Sequence, residues 1–308
     1  MSGSPTDAAT SRVWSAMPDG AREALDGLSP SDLQTLLADV TSRRATRVTP
    51  AEVRRRWESD RLVSPAASDP RTLSAFEARL WQRVPGEFAG VELSPCTPFG
   101  TSAALAGIGQ DRIVSTARGS EVVSDSTTTL ALEAARRRRL QAAGDEVHLA
   151  ACHRQLRTQP MGGASAHFRL LTLVSSARDR GSGETEADLL TRHLRIWRNV
   201  LDEAVPGLAT TIEISAWSPV LADRVADRVR PALGSGHRVA LVDVPERTRA
   251  RGYYADLALR LEVSGPDGPV EIGDGGLTGW TAALTDNRKE RCLVSCVSTE
   301  RLLSLAVR

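Results

Sequence analysis

The chain has 308 residues, of which 41% are hydrophobic, 4% aromatic and 25% charged, and its formal net charge is +1. A near-neutral chain with few aromatic rings has neither a global basic field nor a stacking platform, so composition argues against a nucleic-acid-binding protein. No apolar run reaches the roughly 18 residues of a membrane-spanning helix, and the polar N-terminus lacks the apolar centre of a signal peptide. We therefore expect a cytoplasmic protein.

The cysteines and the single lysine limit which kinds of catalytic chemistry the chain can carry out. The four cysteines lie in apolar, strand-like surroundings without CxxC spacing, so we expect buried, reduced thiols at Cys96, Cys152, Cys292 and Cys296. Lys289 is the only lysine, so a P-loop or Schiff-base lysine would have no other source. Arginine binds phosphate or carboxylate with two parallel donors, and any phosphate chemistry in this chain therefore falls to arginine.

The N-terminal part of the chain is predicted to be a tail followed by helices. Residues 1–20 are small and polar, which is typical of a disordered segment. At residues 29–30 and 49–50 a hydroxyl N-cap precedes a proline at the first helical position, which predicts two helices. They form a helical region over residues 21–68, which presents no helix with base-reading side chains.

From residue 69 onward, capped helices are interspersed with strand-forming stretches. A third helix begins at Asp69-Pro70, a strand ending at Pro95 follows, and STERLLSLAV closes the chain as a helix. The arginine run 136–139 lies at the C-terminal end of a predicted helix, where we expect it to be solvated. The pattern predicts an α+β fold with a mostly antiparallel sheet flanked by helices. Rossmann and P-loop folds are excluded because their glycine motifs are missing.

Residues 148–174, HLAACHRQLRTQPMGGASAHFRLLTLV, predict a half-buried β-hairpin with arginines beside its own loop and an aromatic residue across it. The order of helix, proline-ended strand, arginine-bearing hairpin and final strand–helix resembles the class II aminoacyl-tRNA synthetase core over residues 69–308. Individual strings are most similar to histidyl-tRNA synthetase and to the regulatory subunit of ATP phosphoribosyltransferase. The helix from Pro70 with VELSPCTP resembles motif 1, the dimer interface of that family, which implies a homodimer.

The hairpin is similar to motif 2 of that family, and the resemblance implies an ATP platform. In CHRQLR, Arg154 matches the arginine that holds the α-phosphate and the carboxylate. Phe168 matches the aromatic residue against which adenine stacks, and His167 is the basic residue nearest to the loop. The Gly162-Gly163 loop would let the backbone approach phosphate. VSTERLLSL resembles motif 3, in which Arg301 covers adenine from the opposite face.

Three further strings are similar to substrate-binding segments of the family. VVSDSTTTLALEAA resembles the segment whose acid and hydroxyl bind the substrate α-ammonium group, and GDGGLTGW resembles the strand GGRYDG. RARGYY resembles the histidyl signature RGLDYY, which places Arg249 on its second catalytic arginine. The substrate-binding residues that the resemblance implies are Asp125, Thr127, Tyr253, Tyr254, Gly275 and Gly276.

The resemblance implies activation of a carboxylate with ATP to form an acyl-adenylate. Attack on the α-phosphorus builds negative charge, and preorganised guanidinium groups lower that barrier. The implied catalytic residues are Arg154, Arg249 and Arg301. Mg²⁺ is expected only as the usual companion of ATP, without a metal site of the protein's own, and the acyl acceptor stays open between an amine, a carrier protein and a tRNA.

The sequence also departs from the family pattern. Where motif 2 has a glutamate two residues after its arginine, this chain has Leu156. The family residues that read the histidine substrate correspond to Leu170 and Val174, and a buried imidazole N–H would then be unpaired, so histidine is not the expected substrate. Because the sequence ends at Arg308, directly after motif 3, no anticodon-binding domain is expected and a standard histidyl-tRNA synthetase is not expected either.

Two functions from different classes remain open. The first is a stand-alone ligase that activates a small, less polar amino acid or related acid. The second is a non-catalytic paralogue that senses an amino acid and regulates a partner, which the missing acid at Leu156 favours. Adenylate formation separates them. A third alternative is an unrelated α+β domain with the same order of elements.

Overall fold

The computed structural model describes residues 5–142, 144–159 and 165–307. The helices are α1 (Pro5–Ser15), α2 (Ala21–Asp26), α3 (Pro30–Ala45), α4 (Pro50–Ser59), α5 (Pro70–Trp81), α6 (Thr101–Ala106), α7 (Ser126–Leu140), α8 (Glu184–Ala204), α9 (Pro219–Arg224), α10 (Arg230–Leu233), α11 (Trp280–Thr285) and α12 (Thr299–Ala306). The strands are β1 (Ala89–Gly90), β2 (Cys96–Pro98), β3 (Ser120–Val122), β4 (Val147–Leu156), β5 (His167–Arg178), β6 (Thr210–Ala216), β7 (Ala240–Asp243), β8 (Ala255–Gly265), β9 (Gly268–Thr278) and β10 (Glu290–Ser298). A 3₁₀ turn at Gln110–Arg112 and a π-helical turn at Val225–Val229 complete the elements.

Helices occupy the N-terminal region, including part of the first segment, for which the sequence predicts a disordered tail. Helix α1 lies within residues 1–20. Helices α3 and α4 begin at the predicted prolines: Ser29 caps α3 through the N–H of Asp32, and Thr49 forms a reciprocal capping box with Glu52 in α4. Neither helix buries a residue, so local capping rather than core packing defines where they start.

One eight-stranded sheet, in the order β1-β4-β5-β10-β9-β8-β6-β7, organises the rest of the chain. Its pairs are antiparallel except β1 with β4 and β6 with β7, which confirms the predicted mostly antiparallel α+β fold. The strand expected to end at Pro95 is wrong in its position. The paired strand is Cys96–Pro98, which begins directly after Pro95 and joins β3 in a separate two-stranded sheet.

Different helices cover the two faces of the large sheet, and β4 shows how the residues divide. Ala150 and Cys152 of β4 pack with the core around Trp197 of α8. Leu149 and Ala151 pack with the core that contains α7. Successive side chains of a strand point to opposite faces, so each position of β4 belongs to one of these two cores. Both faces are buried along most of this strand.

The cysteines are free thiols, and two of the four are buried as predicted. Cys292 and Cys296 are buried, whereas Cys96 and Cys152 are half-buried. Burial raises the pKa of Cys152 to about 12 and that of Cys292 to about 11, so both stay protonated and unreactive at neutral pH.

A chain of buried hydrogen bonds links β5, α8 and β10. His193 of α8 is completely buried, with Nε2 2.9 Å from the Ser175 hydroxyl and Nδ1 2.7 Å from the Ser295 hydroxyl. The Ser295 hydroxyl also accepts the indole N–H of Trp197 at 2.8 Å. Desolvation lowers the pKa of His193 to about 3, with a smaller contribution from His148, so the ring is neutral in the folded protein.

We expect this histidine to make the protein less stable in acid. Its pKa rises from about 3 when folded to the ordinary 6.5 when unfolded, so between these values the unfolded state binds a proton that the folded state does not. His193 should therefore lower the free energy of unfolding by about 1.4 kcal/mol per pH unit as pH falls below that upper value. Urea unfolding between neutral and acidic pH should show a shallower pH dependence for His193→Gln than for wild type. Equal slopes for the two proteins would contradict the expectation.

Arg138 departs from the solvated helix end that the sequence predicts for the arginine run 136–139, whereas Arg136 and Arg139 are exposed as expected. Arg138 is buried and forms a two-pronged ion pair with Glu290, with Nε–Oε2 at 2.8 Å and Nη2–Oε1 at 3.0 Å. Ser176 also donates a hydrogen bond to Glu290. The pair fixes the end of α7 to the first residue of β10, a long-range contact that a run of four like charges does not reveal.

Removing one member of this pair should cost far more than removing a neighbouring charge. Arg138→Met leaves Glu290 buried without its cation, and we expect a loss of about 3–5 kcal/mol in the free energy of unfolding. The double variant Arg138→Met/Glu290→Met should recover much of that loss, because no unpaired charge remains. Arg139→Met, on the exposed side, should change stability by less than about 0.5 kcal/mol. Urea unfolding measures all three, and equal losses for Arg138→Met and Arg139→Met would refute the assigned role.

Candidate active site

A cavity of about 780 Å³ lies between the β4–β5 hairpin, strand β9, the loop before β8 and helix α12. Residues 66–68, from the loop after α4, also line it, so the N-terminal region contributes to its wall. The charged side chains that line it are Asp125, Arg157, His167, Arg249, Glu271, Asp274, Glu300 and Arg301. Arginines and carboxylates therefore meet in one place, as the resemblance implies, but the set differs from the predicted one.

Arg154 does not line this cavity in the described part of the chain. It lies three residues before Arg157 and so points to the other face of the sheet. Its Nη2 donates to Glu300 Oε1 at 2.7 Å, and its Nη1 lies 2.8 Å from Nδ1 of His167. The Arg154 guanidinium lies toward α12, where it holds Glu300, and its role at a substrate phosphate stays a prediction from the resemblance.

Arg157 is the hairpin arginine that reaches the cavity. Its Nε donates to the carbonyl oxygen of Ser124 at 3.2 Å, and its Nη2 lies 3.6 Å from Asp125 Oδ2. Its guanidinium carbon is 5.3 Å from the centre of the Phe168 ring. The predicted aromatic residue is thus in the cavity wall, stacked beside a different arginine from the one expected.

Gln159 takes the place of Leu156 when Arg157 is the matching arginine, because it lies two residues further along the chain. Gln159 lines the cavity, and its side-chain oxygen is buried without a hydrogen-bond partner among the described residues. The signal that could have found it is in LRTQP, an arginine with a polar side chain two positions later. The predicted Gly162-Gly163 loop lies outside the described residues.

Two other residues predicted to bind ATP, His167 and Arg301, also line the cavity, and they differ in how far their side chains are engaged by the protein. Both ring nitrogens of His167 are engaged, Nδ1 with Arg154 and Nε2 with the carbonyl oxygen of Ser64 at 2.7 Å. Arg301 is exposed in the first turn of α12, and its Nη1 donates to the backbone oxygen of Glu271. His167 therefore joins the hairpin to the N-terminal region, whereas Arg301 lines the cavity as an exposed side chain.

Arg249 lies on the same rim as Arg301. Its Nη1 is 3.2 Å from Oε2 of Glu271, and its side chain is 75% exposed. Glu271 also receives Nε of Arg260 at 3.1 Å, so Arg249 shares its carboxylate with another cation. An exposed arginine that shares its counter-ion keeps donors free for an anionic ligand.

Asp125 and Thr127 are placed differently from each other. Asp125 lines the cavity as the N-cap of α7, and its Oδ1 accepts the N–H of Thr127 at 2.9 Å and the Thr127 hydroxyl at 2.7 Å. Its Oδ2 accepts the hydroxyl of Tyr253 at 3.4 Å. Thr127 is 3% exposed and does not line the cavity in the described chain, so its hydroxyl serves the cap.

The two tyrosines form one wall as predicted, and Asp274 adds a residue that the sequence did not indicate. The rings of Tyr253 and Tyr254 meet edge to face at 4.9 Å, and both line the cavity. Asp274 on β9 also lines it, and its Oδ1 accepts the Cys296 thiol at 3.6 Å. Burial raises the pKa of Asp274, and the charge of Asp125 raises it further, while Arg157 opposes the shift.

Gly275 and Gly276 do not line the cavity in the described part of the chain, and their predicted role in substrate binding stays a prediction. A Cβ on Gly275 would lie 2.5 Å from Ser295 Cβ, and one on Gly276 would lie 2.5 Å from Cγ of Tyr254. The glycines therefore allow β9 to pass close to β10 and to the Tyr254 ring. Gly273, three positions before Gly276, is the glycine of this strand that borders the cavity.

We expect Gly276→Ala to disturb the site by displacing Tyr254. The added methyl would overlap the ring and the backbone oxygen of Leu257, which lies 2.6 Å from its position, so overpacking should cost about 1–3 kcal/mol of unfolding free energy. Gly207→Ala is the matched control, because no atom lies within 4 Å of its added methyl. Urea unfolding should separate the two variants, and equal stabilities would show that Tyr254 moves without cost.

No group of three or more His, Cys, Asp or Glu side chains is arranged to hold a metal ion within residues 5–142, 144–159 and 165–307. In the same ranges, no helix has both the length and the apolar character needed to cross a membrane.

The fold is similar to the class II aminoacyl-tRNA synthetase core. A histidyl-tRNA synthetase from S. aureus matches with a TM-score of 0.55 and 14% identity over 76% of this chain and 64% of that one. An ATP phosphoribosyltransferase regulatory subunit/histidyl-tRNA synthetase from Bacillus halodurans matches with a TM-score of 0.57 and 11% identity, covering 80% and 83% of the two chains. A histidine–tRNA ligase subunit from Alicyclobacillus acidocaldarius matches with a TM-score of 0.56 and 14% identity, covering 79% and 96%.

These likenesses are of fold. The chain spans less than two thirds of the length of the S. aureus enzyme. No protein-family model matches the sequence, and no curated protein matches it. The resemblance in the order of motifs is therefore confirmed at the level of architecture, and the chemistry has to be argued from the cavity.

Proposed function

We propose that the protein is a stand-alone class II synthetase-like ligase, which activates an amino acid or related carboxylate with ATP as an acyl-adenylate. The acyl group would then pass to an amine, a carrier protein or a tRNA. The observation that carries this proposal is the convergence of Arg157, Arg249 and Arg301 on one cavity with Phe168 in its wall. Guanidinium groups fixed in a partly enclosed site stabilise the charge that develops at a reacting phosphate.

The hairpin end of the cavity fits adenine. Phe168 offers a ring face, and Arg301 offers a planar guanidinium on α12, so a base could stack between them. Gln159 supports the same assignment, because its buried side-chain oxygen lacks a partner among the described residues and could accept the adenine amino group. This residue would take the role that the family gives to the glutamate of motif 2.

The phosphates would lie between Arg157 and Arg249. Arg157 is held by Asp125 and the Ser124 backbone, so its guanidinium is preorganised, whereas the exposed Arg249 can turn toward an incoming anion. Mg²⁺ would enter bound to the ATP phosphates. Arg154 would act at a distance: by holding Glu300, it positions the helix that carries Arg301.

A regulatory function is the second candidate, and the neutral Gln159 favours it, because an amide replaces the acid that the family uses beside adenine. In that case the cavity would bind an amino acid and report its presence to a partner. For either function we propose a homodimer formed through the segment that resembles motif 1, acting in the cytoplasm. The acceptor could dock on the N-terminal helices that lead into the cavity wall.

ATP–pyrophosphate exchange with a panel of amino acids and simple carboxylates tests the ligase proposal. Exchange with one acid should fall by about 100-fold or more in Arg157→Ala, the range seen when one preorganised donor to a developing anion is removed. Arg154→Ala is the matched control, and its loss should stay below about tenfold, because it acts only through Glu300. A larger loss for Arg154→Ala than for Arg157→Ala would restore the assignment made from the sequence. A folded protein that binds an amino acid but catalyses no exchange would favour the regulatory function.

A further inference from the structure

The carboxylate that the sequence assigns to a substrate ammonium group is already occupied. Oδ1 of Asp125 accepts two hydrogen bonds from Thr127, and Oδ2 faces the Tyr253 hydroxyl and the Arg157 guanidinium. Its negative charge therefore has a cationic neighbour, and its acceptor sites have donors within the protein. Asp125 is thus suited to orienting Arg157 and capping α7 rather than to receiving a ligand cation.

Asp274, another carboxylate that lines the cavity, has no such partners among the described residues. Asp274 forms no salt bridge with a described residue, and the thiol of Cys296 at 3.6 Å is a weak donor. The raised pKa of Asp274 reflects the same imbalance, because burial and the charge of Asp125 outweigh the compensation from Arg157. A half-buried carboxylate in the wall of an open cavity remains an acceptor that the described residues do not satisfy.

A second polar group in the cavity wall also lacks a hydrogen-bond partner among the described residues. Tyr254 is 4% exposed and lines the cavity, and its hydroxyl makes no hydrogen bond with any described residue. The Tyr254 ring packs against β9 at Gly276, which lies two residues after Asp274 in the same strand. A phenol oxygen and a carboxylate in one wall can both accept hydrogen bonds from an ammonium group, which carries several donors and one positive charge.

We infer that Asp274, with the Tyr254 hydroxyl, is the site that binds a protonated amine of the substrate. The ligand is then a carboxylic acid that carries an ammonium group, and plain carboxylic acids are excluded. This inference rests on the proposed function for the fate of the carboxylate, but the cation site itself can be tested by binding without ATP. Asp274 becomes a specificity-determining residue, and Asp125 a positioning residue for Arg157.

Four ligands that share one six-carbon skeleton isolate the amine: hexanoate, L-norleucine, 6-aminohexanoate and L-lysine. They carry no amine, an α-amine, a terminal amine and both, and the standard amino acids complete the panel. Binding is measured by titration calorimetry and by thermal shift, first without ATP and then in the exchange assay. We expect at least one amine-bearing acid to bind the wild-type protein, and hexanoate to bind at least about 30-fold more weakly than its amine-bearing counterpart.

Asp274→Asn keeps the shape of the side chain and removes its charge. We expect it to weaken binding of the amine-bearing ligand by about 30-fold or more and to leave the affinity for hexanoate unchanged. The melting temperature of the ligand-free variant should rise by about 2 °C, because an uncompensated charge has been removed from a half-buried position. Asp267→Asn, in the exposed β8–β9 turn of the same hairpin, is the matched control and should change neither quantity.

The outcomes separate the inference from the proposed function. Amine-dependent binding that is lost in Asp274→Asn, without exchange, upholds the cation site and rejects the ligase. Exchange with hexanoate that Asp274→Asn leaves intact upholds the ligase and overturns the cation site. Failure of every amine-bearing acid to bind overturns the cation site as well, and so does a lower melting temperature in Asp274→Asn, which would show a structural role for the carboxylate.

Discussion

The carboxylate of Glu300 ties together the three elements on which the cavity depends. It accepts a hydrogen bond from Arg154 of β4 and another, at 3.0 Å, from the backbone N–H of Arg169 on β5, while it belongs to α12 itself. Glu77 of α5 joins the same elements: its Oε1 accepts a hydrogen bond from Arg169 Nε at 2.9 Å and another from the Thr299 hydroxyl at 2.7 Å. The hairpin, the closing helix and α5 are therefore locked in one relation, and this relation sets the distance between Phe168 and Arg301.

The order of elements could be predicted from the sequence, whereas the face of the sheet to which each side chain of the hairpin points could not. Alternation identifies a face only when one side of a strand is polar, and β4 is buried on both faces for most of its length. CHRQLR carries Arg154 and Arg157 three positions apart, so they lie on opposite faces and either could be matched to a family arginine. The two arginines are distinguished only by their hydrogen-bond partners, and the partner of Arg154, Glu300, comes from the far end of the chain.

The residues that the sequence missed share a dependence on long-range packing. Asp274 lies in a glycine-rich strand that resembles a family strand, and its neighbours from β10 and from the loop before β8 cannot be read from local pattern. The same strand's Gly275 and Gly276 matter because other elements approach them. Arg138 looks like a solvated charge until the start of β10 is placed beside it. In each case the local pattern determines the type of element but not its neighbour.

The cavity differs from the rest of the molecule in how its buried charges are paired. Arg138 and Glu290 are buried as a complete ion pair, and the buried Glu77 has both Arg169 and a hydroxyl as partners. Among the described residues, the side chain of Asp274 has only a thiol as partner, although the sheet places it in a wall where Arg157 already serves Asp125. Elsewhere the fold supplies a partner for each of these charges that it removes from water, as burial requires. A carboxylate left without a cation among the described residues, in the wall of an open cavity that Tyr254 also lines, is most simply understood as half of a pair that the ligand completes.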